Sequence, residues 1–506
     1  MPLSLTPTDS LLPILTDCHV TGFYAQRRLS QKNRLGDTMH TPHQQGSRLQ
    51  RNALGLPQIV ASTLANIAPA MSFYFGFGTI VQGAGVAAPL TIIAAMVVVL
   101  FLTNTLAEFS KYRPSAGSFV TFIGMGFGPV AGAAASVFVV FGYVIGASAV
   151  VVISGGWAHD TLQTFLGINV PWQILSVASA LIVGFLVSRG IGLSTRWAAG
   201  FFYFELVLLL IGAVIMLVKN AQWINLSPFS WSQLAGGFKG LSLGFPLAIY
   251  LFIGWENSAM LAEETKDPRS NVPRALRSAT LAIGALYAFL AYATEIGFHH
   301  NVKAISASSI PFVDALKASA AALLIVAYLA GISSIFSSLI GLTNSQARIL
   351  FNSGREGLLP KFFGRVHQKH QTPHIAMWTF IAIAVLIVAV YGRHIKPVDL
   401  FGYAATLGTI PIILTYLITN LALPVYMRKH HHAEFQLTKH LILPILGTLL
   451  MLMPLWGLVE PGQPEPFNLF PYVALAVLAL SVIYGLILTK RNPHLAQTIG
   501  SFIADE

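Results

Sequence analysis

Between residues 57 and 489 the chain is a succession of apolar runs, each long enough to cross a hydrocarbon layer, which takes roughly 20 residues of helix. We count twelve: 57–84, 86–110, 126–156, 172–188, 196–218, 240–262, 275–298, 320–347, 374–391, 398–425, 440–458 and 469–489. Lipid offers backbone groups no hydrogen-bond partners, so such runs can only be helices or closed barrels. Their length selects helices, and the expected fold is an all-α polytopic membrane protein. Charge is scarce at 10% of residues, with mean hydropathy +0.67, where a soluble domain carries about 25%. The segment 304–318 is too polar to span and reads as a short external helix.

The basic residues test this count. With the N-terminus inside, 24 of the 30 Lys and Arg fall on the cytoplasmic side and 6 on the external side. That asymmetry is the positive-inside bias, and it predicts cytoplasmic termini with an even number of spans. Because the basic residues alternate between loops and form no stripe, the net charge of +11 does not indicate nucleic acid. The one cysteine, Cys18, excludes internal disulfides and thiolate zinc sites. Residues 1–56 are polar, carry six Lys or Arg and read as a disordered cytoplasmic tail, with Met39 an alternative start. The transporter domain is placed at 57–490 and a C-terminal cytoplasmic tail at 491–506. No P-loop, Gly-x-Ser-x-Gly elbow or HExxH occurs, so nothing supports an enzyme, an ATP-driven pump or a cofactor. The run His430-His431-His432 has no second ligand cluster, and no metal site is expected.

Two of the apolar runs are written as broken helices. The first contains Asn66-Ile67-Ala68-Pro69-Ala70; a proline inside a helix removes a donor and clashes with the preceding turn. The other contains Ile249 and then Phe252-Ile253-Gly254-Trp255-Glu256, where Gly254 permits irregular backbone. Irregular backbone at membrane depth survives where it lines a cavity, and paired breaks in two halves of a chain point to a substrate site near the midplane of a secondary transporter. These ten residues, without Glu256, are the candidate substrate-binding set. N–H groups left free after the first break suit an anionic group, and carbonyls from Ile249 to Gly254 suit an ammonium. Phe252 and Trp255 are candidate walls, with ordinary helix packing the plainer reading.

Three motifs carry a family resemblance. Ala84-Gly85 is followed after an apolar run by Ala107-Glu108 and Lys111-Tyr-Arg113-Pro114-Ser-Ala-Gly117. Phe252-Ile-Gly254-Trp255-Glu256 is followed by Glu263-Glu264-Thr-Lys266-Asp-Pro268-Arg269 and Val272-Pro273-Arg274. Ala347-Arg348 is followed by Gly354-Arg355-Glu356-Gly357-Leu-Leu-Pro360. Together they resemble the amino acid–polyamine–organocation permease superfamily over about residues 55–490. The resemblance implies two inverted five-helix repeats, spans 1–5 and 6–10, plus two peripheral helices, with helices 1 and 6 broken around the substrate. Its first-helix glycines are missing here; Gly76 and Gly78 come later.

Glu205 and Glu256 are the ionisable candidates, because a carboxylate inside a span is costly and faces a cavity or a partner. Relatives of the implied family place a lysine near the position of Glu205, so this chain inverts the charge. Both glutamates are candidate proton carriers, with a structural carboxylate the alternative and a latch at the sixth-helix break a further role for Glu256. Related folds bind sodium between eighth-helix hydroxyls and first-helix carbonyls, which points to Ser333, Ser334 and Ser337 with Ala61 and Ser62. Close packing of small residues is the preferred explanation, because the sequence places no carboxylate where such a site needs one. Lys111, Arg113, Glu263, Glu264, Arg348, Arg355 and Glu356 are candidate members of a cytoplasmic ion-pair gate. Snorkelling accounts for the basic residues but not for the clustered acids.

The expected function is therefore a proton-coupled amino acid permease or exchanger in a bacterial plasma membrane, working by alternating access. Its partners would be a small-molecule substrate, protons and the lipid bilayer. A polyamine or other organic-cation carrier is the alternative, because Glu205, Glu256 and Glu295 all lie in spans and Tyr143, Phe252 and Trp255 suit a cation. A non-transporting nutrient sensor is a remote third.

Overall fold

In the computed structural model the described residues are 49–235, 237–502 and 504, with side chains described for all of these except 238–243. Cys18 and most of the expected N-terminal tail lie outside them. The described residues fold as helices: α1 Leu56–Ile67, α2 Pro69–Ala84, α3 Ala88–Tyr112, α4 Ser118–Phe127, α5 Pro129–Leu166, α6 Trp172–Ser188, α7 Ile191–Lys219, α8 Phe238–Tyr250 and α9 Asn257–Met260. Then follow α10 Pro268–Gly297, α11 Val302–Ala307, α12 Pro311–Ser319, α13 Leu324–Arg355, α14 His374–Tyr391, α15 Pro397–His430, α16 Leu443–Val459, α17 Phe470–Arg491 and α18 Leu495–Thr498. Nine helical stretches among the described residues are long and apolar enough to cross a membrane, the first being Leu56–Tyr112 with its internal breaks, and α6 is a shorter apolar helix.

Proline and glycine punctuate the chain as their chemistry requires. Pro57, Pro69, Pro89, Pro129, Pro268 and Pro397 stand in the first turns of their helices, where the missing N–H is not needed. The run expected at 126–156 begins earlier, as α4, breaks at Gly128 (φ +95°) and resumes as α5 through Leu166. Gly128-Pro129 is a glycine–proline stop and start, and apolar periodicity gives no sign of it. The polar segment expected as one short helix at 304–318 is two, α11 and α12.

The core is built from helix pairs: α15 packs on α5, α10 on α3, α13 on α7 and α8 on α2. The most apolar windows of α15 and α5 are 78% and 72% buried in protein, whereas those of the last two stretches, ending in α16 and α17, are 22% and 17% buried. The last two helices therefore sit at the edge, with apolar faces such as Leu475, Leu480 and Ile483 turned outward. An isolated parallel bridge, Leu54 N–H to Glu264 O at 2.9 Å and Lys266 N–H to Leu54 O at 2.8 Å, ties the entry of α1 to the segment after α9.

Candidate functional site

The two breaks face each other. At the first, Ala68 takes a left-handed conformation (φ 56°, ψ 70°) and Pro69 starts α2. At the second, α8 ends at Tyr250 and the chain turns through residues 251–256, with Gly254 at φ +105°, before α9. Asn66 Nδ2 donates to Gly254 O at 3.3 Å, and this side chain joins break to break. A Cβ on Gly254 would lie 3.0 Å from Asn66 Nδ2. Below, Asn257 Nδ2 donates to Ser62 Oγ at 3.1 Å, and Thr63 Oγ1 lies 2.6 Å from Ser258 Oγ. α13 closes the third side: Ser338 Oγ donates to Asn66 O at 3.1 Å, and Gly341 lets the backbones approach, since a Cβ there would sit 3.0 Å from Asn66 Cα.

Both glutamates cap the breaks. Glu256 Oε2 accepts the Gly254 N–H at 3.1 Å, and its Oε1 accepts the Tyr143 hydroxyl at 2.8 Å. Glu205 Oε2 accepts the Ala70 N–H at 3.1 Å, and its Oε1 accepts Ser337 Oγ at 3.2 Å. The Met71 N–H goes to Ser334 Oγ at 3.0 Å, and the Ser72 N–H to Ala68 O at 2.9 Å. The first turn of α2 is thus satisfied from within, so the expectation of N–H groups left free for a ligand is corrected. α7 supplies the carboxylate that occupies this positive helix end.

A cavity of about 230 Å³ lies between the breaks. Of the ten candidate residues, Asn66, Ile67, Ile249, Ile253, Gly254 and Trp255 line it. Ala68, Pro69 and Ala70 are buried but are not on its wall, and Phe252 turns away, edge-on to Tyr287 at 5.8 Å. Most of the wall is aliphatic or aromatic, and among the described residues that form it there is no Asp, Glu, Lys, Arg or His. The Ile249 and Tyr250 carbonyls accept the Phe252 and Ile253 N–H groups, whereas the Ile253 carbonyl accepts no hydrogen bond among the described residues. Gln346 also lines the cavity, and its Oε1 has no partner among the described residues. Sequence reasoning passed over Gln346, because a lone glutamine at the end of an apolar run carries no local signal.

The expected ion-site set divides. Ser334 and Ser337 meet Glu205, and Ser337 Oγ also lies 3.3 Å from Ala65 O. Ser333 bonds to Phe201 O at 2.8 Å in the α7–α13 seam, and Ser62 is held by Asn257. Ala61 is buried one turn away from Ala65. The first-helix oxygen beside the serines is therefore that of Ala65, one turn beyond Ala61.

At the charged end, Glu264 meets Arg348 as a fork, with Nη2 to Oε1 at 2.8 Å and Nε to Oε2, both side chains fully buried. Arg355 Nη1 reaches Glu263 Oε2 at 2.9 Å. Glu356 Oε1 accepts the Gly500 N–H at 3.0 Å, and burial pushes the Glu356 carboxyl up to about 7. Lys111 does not join this cluster: it pairs with Glu108 at 2.6 Å, a carboxylate shared with Arg277 and His440. Arg113 caps α3 through its N–H to Phe109 O. His431 rests on Tyr112 with ring centroids 4.4 Å apart, and no group of metal-ligating side chains occurs among the described residues.

Comparison with known proteins places this architecture. A family model described as amino acid permease matches residues 54–480. The chain is 25% identical over 385 residues to the branched-chain amino acid permease BcaP of Bacillus subtilis (strain 168), covering 70% of this chain and 76% of that one. It is 25% identical over 439 residues to BcaP of Lactococcus lactis subsp. cremoris (strain MG1363), covering 80% and 88%. To the low-affinity putrescine importer PlaP of Escherichia coli (strain K12) it is 23% identical over 466 residues, covering 88% and 95%.

Proposed function

The chain belongs to the amino acid permease family, a family of membrane transporters rather than enzymes, and on that premise we propose that it carries amino acids with uncharged, apolar side chains by alternating access. The observation that carries the side-chain preference is the wall of the central cavity, which among the described residues holds no carboxylate or basic side chain. A charged side chain placed there would lose its hydration without gaining a partner. The backbone ends of an amino acid are better served: the open Ile253 carbonyl suits the ammonium, and the field of α2, rather than any free N–H group of it, suits the carboxylate.

In this reading Glu205 couples the proton. Ionised, it neutralises the positive end of α2; protonated, it leaves that end attractive to a substrate carboxylate while still accepting the Ala70 N–H. Proton and substrate then favour each other without touching. Glu256, bonded to Gly254 and Tyr143, holds the second break in shape, with proton carriage its alternative role. Ser334 and Ser337 steady Glu205, and the bridges Glu263–Arg355 and Glu264–Arg348 form the inner gate, with Glu356 beside them.

We further assign twelve spans to the transporter domain at 57–490, in two inverted repeats with two peripheral helices. The packing of α2 on α8 and of α3 on α10 and the exposed edge position of the last two helices support that arrangement. The basic-residue asymmetry supports cytoplasmic termini, and the bacterial relatives support a bacterial plasma membrane.

The test is thermal stabilisation of the purified chain by amino acids, putrescine and spermidine, followed by uptake into proteoliposomes. A ligand that binds only the folded state stabilises it by about 2.7 kcal/mol at a hundredfold excess over its dissociation constant. Stabilisation by leucine, isoleucine or valine supports the reading. Stabilisation by polyamines alone overturns it in favour of an organic-cation carrier.

A further inference from the structure

The described residues that follow α17 pack back onto the protein. Tyr484 on α17 donates to Leu358 O at 2.6 Å, and α18 follows. Thr498 Oγ1 then donates to Glu356 O at 2.9 Å, the Gly500 N–H to Glu356 Oε1 at 3.0 Å, and the Ala504 N–H to Pro114 O at 2.9 Å. Gly500 turns the chain at φ +69°. Between these bonds two side chains are seated. Ile499 fills a notch made by two glycines: a Cβ on Gly124 would stand 2.7 Å from its Cγ2, and one on Gly132 3.2 Å from its Cδ1. Phe502 lies under the guanidinium of Arg355, with Cζ 4.0 Å from the ring centroid. Phe351 flanks the same guanidinium at 4.9 Å, and Asn352 Oδ1 accepts from its Nη2 at 2.5 Å. Arg355 thus has its position fixed on several sides while its free edge grips Glu263.

We propose that residues 495–502, together with Ala504, are a strap that holds the Arg355–Glu263 bridge closed, with Phe502 as the positioning residue and Ile499 as its anchor. The inference rests on the reading that the face carrying these residues opens during transport. The strap spans parts that such opening would separate. It is bonded to the α3–α4 connection at Pro114 and to the end of α13 at Glu356, and through Arg355 it reaches the segment that follows α9. An aromatic face over an arginine adds attraction without satisfying its N–H groups, so Phe502 steadies the guanidinium without competing with Glu263. Releasing the strap leaves the ion pair intact but freer to part, and this raises the rate of opening rather than the affinity for substrate.

The experiment uses the full chain with Cys18→Ser and a reporter Ala262→Cys at the buried turn beside Glu263. A membrane-impermeant maleimide is applied to the face bearing the gate, without substrate, so the readout survives even if the amino acid assignment fails. Phe502→Ala, Ile499→Ala and deletion of 499–506 are each expected to label faster than the parent, by roughly threefold to tenfold, the scale of one cation–π contact. Phe502→Tyr, which keeps the ring, is expected to restore the parent rate, and in exchange assays the maximal rate should rise with KM unchanged. Glu263→Gln serves as the reference for an unlatched gate. If it labels fast while the three strap variants label as the parent does, the strap is overturned and the gate stands. If neither Glu263→Gln nor the strap variants change labelling, gate and strap fall together.

Discussion

Glu205 and Ala70 stand 135 positions apart in the chain, yet the carboxylate of one accepts the backbone N–H of the other at 3.1 Å. A mid-span glutamate thereby becomes the cap of a half-helix beside the cavity. Glu205→Gln keeps an oxygen for that N–H and removes the charge. We expect it to bind substrate with an affinity that no longer changes from mildly acidic to mildly alkaline pH, and to exchange substrate while failing to accumulate it against a gradient. Uptake and counterflow in proteoliposomes at several pH values measure both. Retained pH dependence would remove Glu205 from coupling.

The Glu264–Arg348 fork predicts a stability effect. Both side chains have no exposed surface, and removing one member of such a pair leaves a buried charge uncompensated, at a cost of about 3–5 kcal/mol. Glu264→Gln and Arg348→Met should each lower the melting temperature in detergent sharply. Combining Glu264→Leu with Arg348→Met should recover a good part of the loss, because two apolar groups leave nothing to compensate. A double variant as unstable as the sum of the singles would mean that the fork's geometry, rather than its charge, holds this end together.

The breaks were readable before any coordinates because their signals are local. Pro69 inside an apolar run, and Gly254-Trp255-Glu256 inside another, contradict the requirements of a lipid-facing helix within a few residues. What the two glutamates touch was not readable. Ala70, Ser337 and Tyr143 are brought to them by tertiary packing, and nothing near Glu205 in sequence names its partners. The same applies to Gly341, whose missing Cβ admits Asn66 but which looks like any small residue in a membrane helix. The seat of the C-terminal segment was not readable for a related reason. Its composition is that of a tail, and only the glycine notch on α4 and α5 shows that it has a seat.

Glu356 gives the chain a pH-dependent stability. Burial is the largest cause of the rise of its carboxyl to about 7, against which the Asn352 side chain, the Gly500 N–H and nearby Arg355 act in the lowering direction. An acid whose folded value lies above its unfolded value binds more protons when folded, so its contribution falls as pH rises between the two. From the usual carboxylate range of about 4.3 up to about 7 the loss is on the order of 3 kcal/mol. Melting temperature should therefore decline across that window, and Glu356→Gln should flatten the decline. An equal slope in the variant would assign the pH dependence to another group.

Gly254 carries the most specific prediction. Its φ of +105° is closed to side-chain-bearing residues, and a Cβ there would press on Asn66 Nδ2 at 3.0 Å and on the Asn66 carbonyl carbon at 3.2 Å. Gly254→Ala must either strain the turn, at a cost of about 1–3 kcal/mol, or relax it and withdraw the Gly254 carbonyl from Asn66 and the Gly254 N–H from Glu256. In both cases the new Cβ pushes the Asn66 amide off the bond that joins the breaks, and where the turn relaxes the Ile253 carbonyl also shifts from its place on the cavity wall. Substrate-induced stabilisation should disappear while the protein still folds and melts cooperatively. Asn66→Ala removes the same bond without backbone strain and should weaken binding less. If Gly254→Ala binds substrate as tightly as the parent, the geometry of the second break does not set the site, and the placement of the ammonium at Ile253 would have to be abandoned.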